Sequence, residues 1–305
     1  MVGMKISLQE HYNQIKRILI WILILNWAVA GAKILYGLLT HCASMAADGF
    51  HSLADGASNI VGFIGISLAS RPRDADHPYG HKKYETFFSL CIAGLLGIVC
   101  IHLIEEGIKR FRNPVIPQID ATSFIVMLVT LSINLLVMIY EYKKGKILQS
   151  DILISDSMHT RADILTSLSV IITLVMIKSG SPIILDPIVT IIIALFIARA
   201  AFRIVQQSSR VLCDTVVIVD VKRIVAIVLS IEGVKACHKI RTRGRPDDIY
   251  IDLHVQVNPG MHIDKAHKIS YMIEETIKKN IPEVTDVVVH MEPEEKKGPK
   301  WNPTD

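Results

Sequence analysis

Six long apolar stretches constrain this chain more than any other feature of its sequence. They lie near residues 15–37, 43–70, 86–108, 120–141, 152–177 and 184–206. Each approaches or exceeds the roughly 20 residues that a helix needs to cross the hydrocarbon core of a bilayer. Half of all residues are hydrophobic and only 20% are charged, which is too apolar for an ordinary soluble domain. The sequence therefore predicts an integral membrane protein that begins with an all-α bundle of six transmembrane helices.

Basic residues between these stretches predict how the chain crosses the membrane. The loops on one side contain Lys5, Lys16, Arg17, Arg71, Arg73, Lys82, Lys83, Lys143, Lys144 and Lys146. Those on the other side contain only Lys109, Arg110, Arg112 and Lys178. Because loops rich in Lys and Arg stay in the cytoplasm, we expect a multi-pass protein of the cell (inner or plasma) membrane, surrounded by lipid, with both termini in the cytoplasm.

The chain becomes more charged after the sixth stretch. Apolar and polar residues alternate over 249–257 and 284–290, as in strands, and residues 263–279 between them have a helical pattern. We expect a small α/β domain in the order helix, strand, strand, helix, strand, similar to ferredoxin-like or metallochaperone-like folds. The predicted divisions are a transmembrane domain over 1–211, a cytoplasmic metal-binding dimerisation domain over 212–292 and a flexible tail over 293–305.

Several functional classes fit this sequence poorly. The net charge of +4 is mild and dispersed, unlike that of a nucleic-acid-binding protein. Five cysteines without a C-x-x-C pair argue against a disulfide framework and a thiolate zinc cluster. There is no nucleophile-and-base set and no phosphate-binding glycine loop, so we do not expect an enzyme.

The second and fifth apolar stretches contain the same pattern, D-x-x-H-x-x-x-D. It is formed by Asp48, His51 and Asp55 in one stretch and by Asp156, His159 and Asp163 in the other. Spacings of three and four residues place each set on one face of a helix, and Asn59 and Ser167 roughly extend the two faces.

Two facing His/Asp pairs would provide two imidazoles and two carboxylates, a ligand set suited to tetrahedral Zn²⁺. The alternative is that these residues only form hydrogen bonds or ion pairs between helices. Because ionisable groups at membrane depth are costly, their repetition favours a cation site. Asp48, Asp156 and Asn59 lie near the four ligands and are predicted to line the ion path or to hydrogen-bond the ligands.

A loop between the second and third stretches has a second candidate set. Asp74, His77 and His81 follow at spacings of three and four residues, as metal ligands often do, whereas Pro78 and Gly80 favour an irregular turn. From the residues alone, a metal site and a solvated polar loop are equally favoured.

Histidines of the C-terminal domain form a third candidate set. His238 and His254 lie on consecutive predicted strands, His267 on the predicted helix, and His290 with Glu292 at the end of the last strand. Only the fold could bring such distant residues together, so spacing alone favours ordinary surface histidines over a metal site.

Taken together, these motifs resemble those of the cation diffusion facilitator family, which comprises divalent metal/proton antiporters, over nearly the whole chain. The resemblance depends on His51-x-x-x-Asp55, His159-x-x-x-Asp163 and the loop sequence His77-Pro-Tyr-Gly80-His81-x-x-x-Glu85.

This resemblance implies a role for each set. The four residues of the two His/Asp motifs form the transport site, and the loop set matches a site of bacterial iron/zinc-type members. The C-terminal histidines with Glu292 form a binuclear zinc site that supports a homodimer, although Met291 and Glu292 replace the Gln and Asp that relatives often have. Lys83 is implied to pair with Asp214 near the membrane surface and so to link the two protomers.

Together, residues and resemblance predict a Zn²⁺/proton antiporter that exports the metal by alternating access. A histidine must be neutral to bind a metal, and its ordinary pKa of about 6.5 lets protons compete near neutral pH. Fe²⁺, Co²⁺, Ni²⁺ and Cd²⁺ stay possible cargoes, as does a broad cation range. A membrane-bound metal sensor and a proton-independent channel are the remaining alternatives.

Overall fold

The computed structural model describes residues 8–39, 53, 56–112, 121–178, 185–216 and 220–294. Two compact units divide the chain, Met1–Ser209 and Arg210–Asp305. The segment with Asp48, His51 and Asp55 and the tail from residue 295 onward lie outside the described residues.

Helices make up most of the described part of the first unit. They are α1 (Leu8–Leu39), α2 (Ala57–Ala69), α3 (Lys83–Arg112), α4 (Ala121–Ile147), α5 (Asp151–Lys178) and α6 (Leu185–Leu212), whose last residues lie in the second unit. Pro187 lies in the first turn of α6, where its missing N–H has no partner to lose.

Four of these helices have the length and composition of membrane spans. They are the segments Glu10–Leu35, Lys83–Arg112, Phe124–Ile147 and Pro187–Leu212. Helix α2 is apolar but has only 13 residues, and the first half of α5 carries several charged residues. The prediction of an integral membrane protein, mainly helical in this part, is confirmed. The count of six spans stays a prediction.

Large apolar side chains cover the outer faces of these helices. Trp21 is 71% exposed, Ile98 65%, Leu136 69% and Phe202 67%. A soluble protein rarely exposes so much contiguous apolar surface, whereas lipid chains solvate it. The buried faces form two apolar clusters, one from α1 to α5 and one mainly from α3, α5 and α6.

Glycines allow close contacts between the helices around the core. A Cβ atom on Gly65 of α2 would lie 2.5 Å from Cβ of Phe88 on α3 and 2.7 Å from Cδ1 of Ile152 on α5. At the tight connection between α4 and α5, a Cβ on Gly145 would lie 3.0 Å from the backbone nitrogen of Ile154. Small residues at such positions let membrane helices approach closely.

The second unit contains α7 (Val221–Leu229), β1 (Val234–Arg245), β2 (Asp248–Val257), α8 (Ile263–Asn280) and β3 (Val284–Pro293). The sheet order is β1-β2-β3. Strands β1 and β2 are antiparallel and joined by a tight turn, whereas β2 and β3 are parallel and need α8 as a crossover. Isoleucines, leucines and valines of the sheet pack against α7 and α8 to form one core. The prediction of a small α/β domain is confirmed.

The sheet register aligns three histidines across neighbouring strands. His238 on β1 pairs with His254 on β2, and His254 pairs with His290 on β3. The pairing of β1 with β2 is irregular between His238 and Arg241, where Lys239 has a φ of 50°. Irregularities of this kind turn a strand locally and redirect its side chains.

Candidate metal sites

The described half of the predicted transport site lies on α5. His159 is 5% exposed and follows Asp156, which is fully buried, by one helical turn, and Asp163 follows one turn later. Their partners in the second stretch, His51 and Asp55, lie outside the described residues, as does Asp48. The structure therefore places only His159 and Asp163 of the four predicted ligands.

His159 and Asp163 line one cavity of about 30 Å³, which is large enough for a water molecule or a small ion. The other lining residues are Asn26, Val29 and Lys33 of α1, Ser58 of α2, Asn134 of α4 and Thr160 of α5. Most of these side chains are polar, although they lie between helices that are otherwise apolar. A polar cavity between apolar helices is an environment that can accommodate a cation.

The imidazole of His159 lacks the hydrogen bonds that its burial calls for. Neither Nδ1 nor Nε2 has a partner within the part of the chain that the structure describes. A buried polar group without a partner loses the free energy of its hydration. A metal ion, or a residue of the undescribed segment, would remove this cost.

A chain of buried polar contacts surrounds this cavity. Asn26 Nδ2 of α1 donates to Asn59 Oδ1 of α2 at 3.1 Å, and Asn59 Nδ2 donates to Asp156 Oδ2 of α5. Thr160 Oγ1 donates to Glu141 Oε2 of α4 at 3.1 Å. Asn59 and Asp156, predicted to lie along the path or near the ligands, are thus bonded to each other.

Glu141 was missed by the sequence analysis. Its side chain is fully buried and lies beside Asp156. The available signal was its position, because it and Asp120 are the two acidic residues of the fourth apolar stretch and lie at its two ends.

Glu85, the last residue of the loop motif, connects α3 to the start of α5. It is 1% exposed, and Ser150 Oγ donates to its Oε1 at 2.5 Å. Next to it, Thr86 Oγ1 donates to Asp151 Oδ2 at 2.9 Å. These bonds fix the beginning of the helix that carries His159.

The loop between α2 and α3 brings the second predicted set together. The potential ligand atoms of Asp74, His77 and His81 all lie within 4.8 Å of one another. His77 Nδ1 lies 3.1 Å from Asp74 Oδ1, and His81 Nε2 lies 3.3 Å from Asp74 Oδ2. Gly80 has a φ of 90°, a conformation that favours glycine, and its N–H donates to the carbonyl of His77 at 2.9 Å.

Electrostatics in this loop favour an ionised Asp74. Desolvation raises its pKa, but hydrogen bonds from the backbone and ring of His77 and the nearby His81 lower it by more, so the pKa lies below its ordinary value. An ionised carboxylate beside two imidazoles is an arrangement that binds a divalent cation.

In the second unit, Glu292 joins the three aligned histidines. Its Oε1 lies 2.6 Å from His254 Nδ1, its Oε2 lies 3.2 Å from His238 Nε2, and Oε1 is 3.6 Å from His290 Nε2. The pKa of Glu292 lies below its ordinary value, mainly because of the hydrogen bond with His254. Desolvation acts in the opposite direction and raises it. Buried Nδ1 of His238 has no partner among the described residues.

His267 does not join this cluster within one chain. It lies exposed on α8, and its ring contacts that of Tyr271 with 4.8 Å between centroids. His238, His254 and Glu292 form the compact group, with His290 beside it.

Comparison with known proteins gives the family. The model of the cation efflux transmembrane domain matches residues 19–213, and that of the cytoplasmic domain of cation efflux proteins matches residues 219–294. The chain belongs to the cation efflux family. The family resemblance predicted from the motifs is confirmed, and the cation efflux protein is a transporter embedded in the membrane.

Several relatives match most of the length of the cation efflux protein. It is 28% identical over 284 residues to an uncharacterized transporter of Methanocaldococcus jannaschii; the match covers 92% of this chain and 99% of that transporter. It is 26% identical over 279 residues to the manganese efflux system protein MneP of Bacillus subtilis; the match covers 89% of this chain and 93% of MneP. It is 27% identical over 262 residues to the cation-efflux pump FieF of Shewanella oneidensis; the match covers 86% of this chain and 88% of FieF.

Proposed function

We propose that this cation efflux protein exports Zn²⁺ from the cytoplasm in exchange for protons. The observation that carries the proposal is the buried imidazole of His159, which lines one polar cavity together with Asp163. A transported cation would bind at one of the two ring nitrogens that have no partner among the described residues.

Zinc is favoured by the ligand chemistry. His159 and Asp163 would bind the ion with His51 and Asp55, the matching pair of the repeated motif. Two imidazoles and two carboxylates suit tetrahedral Zn²⁺, while Mn²⁺ prefers a set made largely of oxygen ligands. Fe²⁺, Co²⁺, Ni²⁺ and Cd²⁺ can use the same ligands and are the competing cargoes.

Proton exchange follows from the same ligands. Six spans with both termini in the cytoplasm would place the cavity between the two surfaces, and alternating access would open it to each side in turn. Because only neutral imidazole binds a metal, protons entering from outside would release the ion and then travel inward.

We also propose two cytoplasmic metal sites. Asp74, His77 and His81 would hold an ion at the entry side, and His238, His254 and Glu292 would hold a resident zinc ion, with His290 available as a further ligand. This zinc would join three strands of the second unit and support a homodimer. His267 would reach a zinc ion only with ligands from elsewhere, and the pairing of Lys83 with Asp214 would be made between protomers.

The test is zinc uptake into sealed vesicles that contain the purified protein, measured with a fluorescent indicator with and without a pH gradient. We expect gradient-dependent uptake, and we expect His159→Ala or Asp163→Ala to lower its initial rate by about 100-fold or more. His102→Ala is the matched control, because His102 is exposed on α3, and it should leave the rate unchanged.

Each other outcome points to a different function. Uptake of Mn²⁺ in place of Zn²⁺ would assign the activity named for the Bacillus relative. Zinc uptake that ignores the pH gradient would indicate a channel. Metal binding without any flux would indicate a sensor.

A further inference from the structure

Lys33 of α1 is a buried basic residue that lines the polar cavity. It lies two residues before the end of the span Glu10–Leu35 and is 7% exposed, so its side chain is enclosed by protein instead of extending outward as a snorkelling lysine does. A charged side chain that is buried between membrane helices is costly and is tolerated where it faces a polar cavity or an opposite charge.

Charge in the cavity is nearly balanced before any ion enters. Among the lining residues that the structure describes, Lys33 and Asp163 are the two with a formal charge, and His159 is the third ionisable side chain. The rest of the lining is neutral. A positive group thus lies in the same cavity of about 30 Å³ as two of the proposed ligands.

We propose that Lys33 is the internal competitor of the transported metal. Its ammonium compensates the ligand carboxylates when the cavity holds no metal, and it repels a divalent ion when the cavity is loaded. Lys33 therefore lowers the affinity of the site, and this lets a tightly coordinated ion leave again. The inference depends on the proposed function, because it concerns the same site, but it needs no change in the protonation of Lys33.

The physical basis is the strength of charge interactions away from water. Two unit charges a few ångströms apart interact about four times more strongly at an effective dielectric constant of 20 than in bulk water. A divalent ion doubles the repulsion from the ammonium. Efficient transport requires binding that is strong enough for entry and weak enough for exit, and a fixed positive charge beside strong ligands provides this balance.

Zinc affinity and transport are compared in Lys33→Gln, Lys33→Met and Lys33→Arg, all in the full-length chain. Zinc binding is measured by competition with a fluorescent chelator. Each Lys33 variant is also measured with Asp163→Ala added, which removes a ligand of the transport site. Subtracting the zinc bound by the double variant from that bound by the single variant leaves the zinc bound at the transport site. The control is Lys16→Gln on the same helix, because Lys16 donates to Ser70 Oγ at 2.9 Å and does not line the cavity.

We expect the two neutral variants to bind Zn²⁺ at the transport site on the order of tenfold more tightly. In vesicles, KM and kcat should both fall, because release becomes slower. Lys33→Arg keeps the charge and should resemble the unaltered protein, as should Lys16→Gln. A purely structural lysine would give the opposite pattern, with weaker binding and loss of folded protein.

Unchanged or weaker zinc binding in both folded neutral variants would overturn the inference. So would a Lys33→Arg protein that behaves like Lys33→Gln, because charge would then not be the cause. If both neutral variants fail to fold, Lys33 is structural and the inference is wrong. Failure of the proposed function gives a different result, namely an Asp163→Ala protein that still transports zinc at the normal rate.

Discussion

Replacing Ser150 with alanine tests whether the start of α5 is held by a buried charged hydrogen bond. Ser150 is fully buried and directly precedes the helix. Its hydroxyl donates to Glu85 Oε1 at 2.5 Å and accepts a longer bond from the backbone N–H of Leu153 at 3.4 Å. Alanine fits the same space but can make neither contact.

The two contacts set the size of the expected loss. A hydrogen bond to a charged group contributes about 1.5–3 kcal/mol, and a serine N-cap contributes about 1 kcal/mol. We therefore expect Ser150→Ala to lower the free energy of unfolding by about 3 kcal/mol. With Glu85→Gln already present, the bond is neutral and the loss should shrink to about 2 kcal/mol, leaving a coupling of about 1 kcal/mol between the two residues.

Unfolding of the detergent-purified protein by sodium dodecyl sulfate measures these free energies. Ser132→Ala is the matched control, since Ser132 is exposed on α4 and donates only to the carbonyl of Leu128. It should change stability by less than about 0.5 kcal/mol. The reasoning is refuted if Ser150→Ala is no less stable than Ser132→Ala, or if Glu85→Gln leaves the cost of Ser150→Ala unchanged.

Three further predictions concern packing, pH and thiol reactivity. Gly65→Ala should destabilise the helical unit by about 1–3 kcal/mol, whereas Gly94→Ala should be neutral, because a Cβ there meets nothing within 4 Å; unfolding in detergent distinguishes the two. The pKa of Glu292 is lowered on folding, so its stabilisation is full above the ordinary value of 4.5 and is lost as the pH falls through the lower, folded pKa. Acid unfolding of metal-free protein should therefore be steeper below pH 4.5 than in Glu292→Gln, and equal slopes would contradict this. Burial raises the pKa of the Cys237 thiol to about 11, so iodoacetamide at neutral pH should modify exposed Cys213 first; mass spectrometry that finds Cys237 equally modified would disprove it.

Local spacing predicted those parts of the sites that depend on one segment. Asp156, His159 and Asp163 share a face because offsets of three and four residues coincide on any helix. The loop set was left undecided, because Pro78 and Gly80 allow many turns. Backbone conformation brings the three side chains together, since the N–H of His77 donates to Asp74 Oδ1 at 2.7 Å and Gly80 takes a positive φ.

Sites that need several elements could not be predicted from spacing. His238, His254 and His290 come from three strands, and their alignment depends on the register of the sheet. An irregularity after His238 further changes where that strand points. Only the resemblance to a family grouped these residues beforehand.

Buried charges were the hardest feature to foresee. Helix α1 is apolar on all sides, so periodicity gives no sign of which face is buried. The sequence pattern therefore does not mark Lys33 or Glu141 as buried. Their burial depends on how each helix is rotated against its neighbours, which is a property of the packed bundle.

The hydrogen bonds of α5 would limit how the proposed alternating access could open the cavity. The helix is bonded near its start to α3 through Glu85 and Ser150, and further along to α2 through Asn59 and to α4 through Glu141. Breaking a buried bond of this kind costs about 1–3 kcal/mol for each group left without a partner. Moving α5 alone would break several of them at once, whereas moving α1, α2, α4 and α5 together would keep the bonds among these four helices, including the one from Asn26 to Asn59. For the proposed alternating access, a cycle in which these four helices move as one body would therefore cost less free energy than one in which α5 slides past its neighbours.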